Sequence, residues 1–538
     1  LTLKAHNNVV VSGAITSNNN KLHINLIADS DQNGAGVVII NSNLTSNGGN
    51  IAFGTGSTIS FGGVTTQVGG DVYVTGSSAV TWATGGGTLT VNGQTLIGNP
   101  SGLTVNTSGG TVLFGGSIDS ANSYLGVTAT YDWAGALAAA ATGTGANTGD
   151  TYLATITTRL ENAIASQAVN YQSAWLGARR VTTIGTDTAW RWVSGPEGLQ
   201  NGGKGTIFYY QTTNGSGGTT VGGYFSNWNP GEPNNWTGSA GNSASEYESA
   251  MQFTGALGQW NDLPKTVTNL SYYVKETNAT PSALTINSGA GSVALNGSVG
   301  SSKALSSLTI NSAGLTASAI NTTTSLNITN SAASSITGSI MGAGSLTKAG
   351  AGTLTLSGTS DYTGSTTLNA GTLKISSTGQ IYQTDITTNL NVNSGAVLDI
   401  NTWSWQGSLG KFRFDPPNLV INGGTVRYSG STGGDWRSFT VLSGGATFDS
   451  PTSGVTWSMN NSAQTPVISG DLTFTGAGNI VLNHNLTGSG YSIIKNGSGT
   501  LTLGGNNTYT GATQVNAGTL SVASSTGLGS TAAGTTVA

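Results

Sequence analysis

A chain of 538 residues with 83 glycines and only 7% charged residues is long enough for several domains, but it lacks the composition of an ordinary globular enzyme. Its net charge of −4 offers no basic footprint for nucleic acid or an anionic membrane, and no stretch approaches the roughly 18 apolar residues that span a bilayer. Cysteine is absent, which suits a chain that crosses a second membrane unfolded, where a crosslink would jam it, and equally suits a cytosolic one.

Residues 1–119 alternate short β-branched runs with Asn-Gly, Gly-Gly and Ser-Asn turns. The predicted strands are Val9–Ser12, His23–Leu26, Val37–Ile40, Ile51–Phe53, Asp71–Val74, Leu89–Val91 and Thr111–Phe114. Disordered chains lack such runs and carry more charge. Strands this short with alternating apolar positions suit stacked rungs with a narrow core better than a sandwich. The opening, Leu1-Thr-Leu-Lys-Ala-His-Asn-Asn-Val9 followed by Asn25-Leu-Ile-Ala-Asp-Ser-Asp-Gln-Asn-Gly34, resembles the β-helical repeats of filamentous haemagglutinin-type secreted adhesins.

The pattern changes near Ser120. All six glutamates lie between Glu161 and Glu276, and seven of the twelve tryptophans lie between Trp133 and Trp260. Stacked strands do not predict that clustering, so 120–278 reads as an inserted globular domain. A first helix is predicted over Tyr131–Ala140 and a second over Thr157–Ser166, with Leu160, Ala163 and Ile164 at core spacing and Thr157 or Thr158 as cap. Ala174–Ala178 and Trp190–Trp192 read as strands, and Ser249–Phe253 is expected to form a hairpin with Tyr272–Lys275. Between them, Trp228-Asn-Pro-Gly-Glu-Pro-Asn-Asn-Trp236, Ser245-Glu-Tyr-Glu-Ser249 and Gln259-Trp-Asn-Asp-Leu263 gather carboxylates and amides, the hard oxygen ligands that calcium takes six to eight at a time.

These segments, in this order, resemble a C-type lectin-like domain. The resemblance implies one calcium held by Glu232, Asn234, Asn261 and Asp262, a further ligand at Glu246, whose spacing fits better than that of Glu248, and a cis bond before Pro233. The same side chains would carry carbohydrate, because neighbouring sugar hydroxyls complete the metal's shell while hydrogen-bonding to carboxylate and amide. In that family the Glu-Pro-Asn order goes with equatorial hydroxyl pairs, so the resemblance implies mannose, glucose or fucose-type glycans on cells or matrix. The family's usual disulfides are missing, and the loop from Thr237 to Ser245 is small and featureless.

Strand patterning resumes over 279–538, at Leu284–Ile286, Val293–Leu295, Leu308–Ile310 and Leu326–Ile328. Two longer segments, about 344–375 and 491–522, are internal copies whose paired Lys348 and Lys495 lie 147 residues apart. They resemble the passenger-associated repeat of autotransporters. Trp403, Trp405, Phe412, Phe414, Trp436 and Trp457 read as interior or corner fillers before a sugar platform.

His6, His23 and His484 are too dispersed for zinc or a triad. Asp385, Asp399, Asp415, Asp435 and Asp449 could line a hydrolytic groove, but their default place is beside turns. The expected architecture is therefore mainly β: a right-handed parallel β-helix, the hand following from resemblance, interrupted by an α+β C-type lectin-like domain projecting from it. The expected function is an extracellular bacterial adhesin at the cell surface, associated with the outer membrane, that binds carbohydrate through Ca2+ and is not an enzyme. A structural filament making protein contacts or self-associating is the alternative, and a polysaccharide-degrading β-helix the third reading. Starting at Leu1 and stopping in a Thr/Gly/Ala run, the chain is expected to be a segment of something longer.

Overall fold

The computed structural model describes residues 1–30, 36–54, 58–61, 64–67, 70–141, 151–180, 189–211, 217–234, 249–254, 258–381, 388–403, 408–409, 418–435, 437–460 and 465–538, with backbone alone at 58–61, 64–67, 249–251 and 435. Two compact units share the chain. One comprises Leu1–Thr84, Thr88–Leu103 and Phe114–Ser282, the other Gly85–Gly87, Thr104–Leu113 and Ala283–Ala538.

In the first unit the rungs are built from three parallel sheets. Thr2–Lys4, Ile24–Ile27, Ile51–Phe53 and Leu89–Val91 form one. Val9–Val11, Val38–Ile40, Val72–Val74, Thr95–Ile97 and Ile118–Ser120 form the second, and Ile15–Thr16, Leu44–Thr45 and Val80–Ala83 the third. Alternate residues point inward, as in the buried–exposed–buried pattern of Val9–Val11, and rings such as Phe53 and Trp82 meet inside with centroids 4.8 Å apart. This is the stacked-strand architecture expected from the short alternating runs.

Residues 123–277 fold into a nine-stranded, mainly antiparallel sheet with two principal helices, α1 (Trp133–Ala141) and α2 (Arg159–Ala168). Thr158 is the N-cap of α2, its hydroxyl accepting from Glu161 N while the Glu161 carboxylate accepts from Thr158 N, a full capping box. The expected hairpin is corrected by the structure. Ser249–Thr254 pairs with Gln259–Pro264, and Tyr272–Thr277 pairs instead with Ser123–Thr128, Thr151–Leu153 and Ala174–Trp175. A four-residue connection brings Gln259 straight back alongside Thr254, so the near neighbour takes the edge that the distant strand was expected to occupy.

Helix α2 lies against the rungs of the first unit. Leu160, Ala163 and Ile164 pack with Val37, Ile39, Leu96 and Ala121 in one buried cluster. Arg159 donates from Nη1 to Asp29 Oδ2 at 2.9 Å and from Nη2 to Asp71 Oδ2, all three side chains being nearly inaccessible. Asn8 Nδ2 donates to the Tyr171 hydroxyl at 2.9 Å just beyond the helix. Val38–Ile40 and Thr95–Ile97 are buried on both alternations, as strands covered on two faces must be.

In the second unit Ala283–Asn287 stacks on Thr104–Thr107. Thr107 N donates to Asn287 O at 3.0 Å, and an asparagine ladder runs from Asn311 through Asn287 to Asn106 at 2.7 and 2.8 Å. Parallel strands follow rung by rung to Thr535–Val537. Trp403 and Tyr428 pack on Trp457 in the interior, as fillers, while Trp405, Phe412, Phe414 and Trp436 lie outside the described residues.

The two internal copies share unusual fixtures. Lys348 occupies an inward column between Ile328 and Leu368, and its ammonium donates to the carbonyls of Ala349, Gly350 and Ala370 at 2.7, 2.8 and 3.2 Å. Lys495, between Phe474 and Val515, donates likewise to Gly497 O and Ala517 O. Burial pushes Lys348 down to about 8 and lowers Lys495 as well. Tyr362 and Tyr509 are buried with their hydroxyls on Thr366 and Thr513 at 2.5 and 2.6 Å. Gly371 and Gly518 turn the corners at φ 65° and 73°, where a side chain would be strained. The first copy starts on the sheet of Ala283–Asn287 and the second on the sheet of Ser292–Leu295, so one motif serves two faces.

Candidate functional site

Strand Gln259–Pro264 positions the site. Trp260 and Asp262 face inward and are buried, while Asn261 faces the other way. The loop 227–234 is tied beside this strand: Trp260 N donates to Asn227 O at 2.8 Å, and Asn229 N donates to Trp260 O at 2.9 Å. The Trp228 indole packs against Trp190, Tyr209 and Trp260, with centroids 4.8, 5.6 and 5.9 Å apart. Gly231, at φ 90°, lets the chain reverse so that Glu232 N reaches Asn229 O at 2.9 Å, and the Glu232–Pro233 peptide is cis.

That reversal brings three of the sequence-derived ligands together. Asn234 N donates to Asp262 Oδ1 at 3.1 Å, and Asn234 Nδ2 donates to Glu232 Oε1 at 2.9 Å. Asn261 sits next to them, its amide donating to the Asp262 carbonyl at 3.1 Å. Glu246 lies outside the described residues. Burial, reinforced by the neighbouring Asp262 carboxyl, raises Glu232 to about 7, and its Oε2 is buried without a hydrogen-bond partner. Among the described residues no group of three or more acidic, histidine or cysteine side chains converges here. The groups that meet are nevertheless two carboxylates and one amide, all hard oxygens, with one carboxylate oxygen left over, and they fit a divalent cation of the calcium type. Beside it, a cleft of about 480 Å³ is lined by Tyr209, Gly218, Thr220, Trp228 and Glu232.

Five of the seven tryptophans of this region are interior residues, whereas Trp228 is partly exposed. Trp133, Trp175, Trp190, Trp192 and Trp260 are at most 3% exposed, and Trp260 sits edge-on among Trp192, Phe208 and Phe225. Trp236 is outside the described residues. Asp399 and Asp449 stand at or near the ends of their strands. They lie in strands, in register with Lys374 and Arg427, as a ladder of alternating charge in which Arg427 Nε meets Asp449 Oδ2 at 2.8 Å. Asp385 and Asp415 are outside the described residues, and only the backbone of Asp435 is described.

Two features escaped sequence reasoning. One is a buried carboxylate group. Glu276 accepts from Thr155 N at 2.9 Å, from Tyr152 OH at 3.1 Å and from Asn122, and Glu197 accepts from Thr155 Oγ1 at 3.0 Å. Burial first, then repulsion from Glu161 against the pull of these donors, leaves Glu276 at about 8. The other is Gln211, whose partners are remote in sequence. For Glu161 the spacing Thr158-x-x-Glu161 was an available signal.

Residues 346–375 and 493–522 match the passenger-associated transport repeat, and these are the two segments that contain the buried lysine, the tyrosine–threonine pair and the corner glycine. The chain is similar to the adhesin BmaC autotransporter of Brucella suis biovar 1 (strain 1330), with 34% identity over 157 residues, 29% of this chain. That match spans 3% of the relative's length. No solved structure is a significant match. With parallel rungs before and after the inserted sheet in chain order, the two repeats and this similarity support a β-helical segment of the autotransporter type whose place is extracellular or at the cell surface.

Proposed function

We propose that residues 120–278 form a C-type lectin-like domain that binds carbohydrate through one calcium ion, carried by the β-helical rungs of 1–119 and 279–538. Glu232, Asn234, Asn261 and Asp262 are the ligands, with Glu246 as a fifth, and the ligand class is a mannose, glucose or fucose-type glycan on a cell or matrix surface. The carrying observation is the meeting of Glu232 and Asn234 with Asp262 around a buried carboxylate oxygen that has no hydrogen-bond partner. Two carboxylates held this close are stabilised by a proton or a cation between them, and a divalent ion supplies the larger charge. The role is binding without turnover. A single shallow site binds weakly, so useful adhesion relies on many copies on one surface.

The whole chain is the right material for the test, because Arg159 and Leu160 are buried against the rungs and would be laid bare in an isolated domain. Calorimetry with calcium should give measurable heat for the natural chain, and Asp262→Ala should weaken binding at least about tenfold, since it removes a charged ligand. Retention on a mannose resin should vanish on chelation. Equal heats for both proteins would remove the metal from this reading.

A further inference from the structure

We infer that Gln211 is the positioning residue of the Glu-Pro-Asn loop, clamped by Arg180 and Trp190 so that its amide holds the Pro233 carbonyl. This rests on the calcium-site reading for its consequence, but its geometry stands independently. Gln211 ends strand Thr206–Gln211 and is 3% exposed. Its Nε2 donates to Pro233 O at 2.9 Å. Its Oε1 accepts from Arg180 Nη1 at 2.8 Å and from Trp190 Nε1 at 3.3 Å. Arg180 and Trp190 are buried on two neighbouring strands of the same sheet.

The arrangement gives the side-chain amide one orientation. Two donors converge on its oxygen, so its NH₂ must face the loop. Pro233 O accepts a second bond, from Gly217 N at 3.1 Å, and the residue after it donates through Asn234 N to Asp262 Oδ1 at 3.1 Å. The loop is therefore pinned on one side to the strand carrying Gln211 and on the other to the strand carrying Asp262. Glu232 and Asn234 flank the pinned carbonyl, so a shift at Pro233 moves both proposed ligands together. Gln211 itself is assigned no contact with the cation.

Gln211→Glu tests this directly. It keeps an acceptor for Arg180 and Trp190 and replaces the donor that faces Pro233 by a carboxylate oxygen, whose charge the Arg180 guanidinium balances. Arg180→Met is the second variant, leaving Gln211 in place but unlatched. In the metal-free whole chain, amide exchange at Gly231, Glu232 and Asn234 should accelerate about tenfold in Gln211→Glu, the effect of losing one buried hydrogen bond, with an unchanged melting temperature. Arg180→Met should show a smaller change in the same direction. Calcium affinity, read by calorimetry, should fall by a similar factor. Unchanged exchange at these amides overturns the assignment whatever calcium does. So does a lowered melting temperature with faster exchange throughout the sheet, which marks a merely structural role. If the natural chain takes up no calcium, the metal reading fails alone, and the exchange measurement still decides the role of Gln211.

Discussion

His484 is fully buried among the rungs of the second unit, its ring 5.6 Å from that of Phe439. Burial holds its pKa down at about 4, against an ordinary value of 6.5. The unfolded chain therefore takes up a proton that the folded chain refuses. The stability His484 allows is complete above pH 6.5 and is lost as pH falls from there toward 4. Replacing it by leucine removes that dependence. Urea unfolding at pH 7 and pH 4.5 should show the natural chain losing about 2 kcal/mol more than His484→Leu over this interval. Parallel pH profiles for the two proteins would refute the account. At this scale the sequence was only partly readable. Glu232, Asn234, Asn261 and Asp262 stand out by type and spacing, whereas Gln211 and Arg180 carry no local signature, because their roles are set by which strands lie side by side.

α2 is the element on which the inserted sheet rests against the rungs of the first unit. Its Arg159 meets Asp29 and Asp71, with all three side chains buried. Such a pair adds little net stability over an apolar contact, but removing one partner leaves buried charge behind. Arg159→Met is therefore expected to cost about 3–5 kcal/mol, measured by chemical denaturation, and adding Asp29→Asn with Asp71→Asn should recover most of the loss. If the triple substitution were no better than the single one, charge would not be the cause. The helix itself was legible, since Thr158-x-x-Glu161 signals its start and Leu160, Ala163 and Ile164 mark its apolar face. What that face covers was not legible. Val37–Ile40 reads as one more short strand until the outward Ile39 is seen beneath Leu160 and Ile164. The buried lysines are a similar case. In sequence Lys348 and Lys495 serve only to align the two copies, and the fold shows each closing a rung corner with main-chain carbonyls.

For the whole molecule, the proposed site lies wholly in the first of the two compact units. A ligand that binds only the folded form stabilises by about 2.7 kcal/mol at a hundredfold excess over its dissociation constant. Calcium is thus expected to raise the transition in which the first unit unfolds, read by scanning calorimetry. No shift in that transition would contradict a single calcium site in the inserted sheet.

The amino-acid order by itself determined the short alternating strands and their turns, the break in character between Ser120 and Asn278, the capping of α2 and the two repeats at 346–375 and 493–522. These follow from neighbours along the chain, through the two-residue alternation of strands, the backbone needs of turns and local capping chemistry. Tertiary structure alone decided that Ser249–Thr254 pairs with Gln259–Pro264, that α2 is buried on the rungs, and that Gln211 holds Pro233. The physical reason is that burial and hydrogen-bond partnership at these places belong to surfaces assembled from distant segments, and no local pattern records which two surfaces will close on each other.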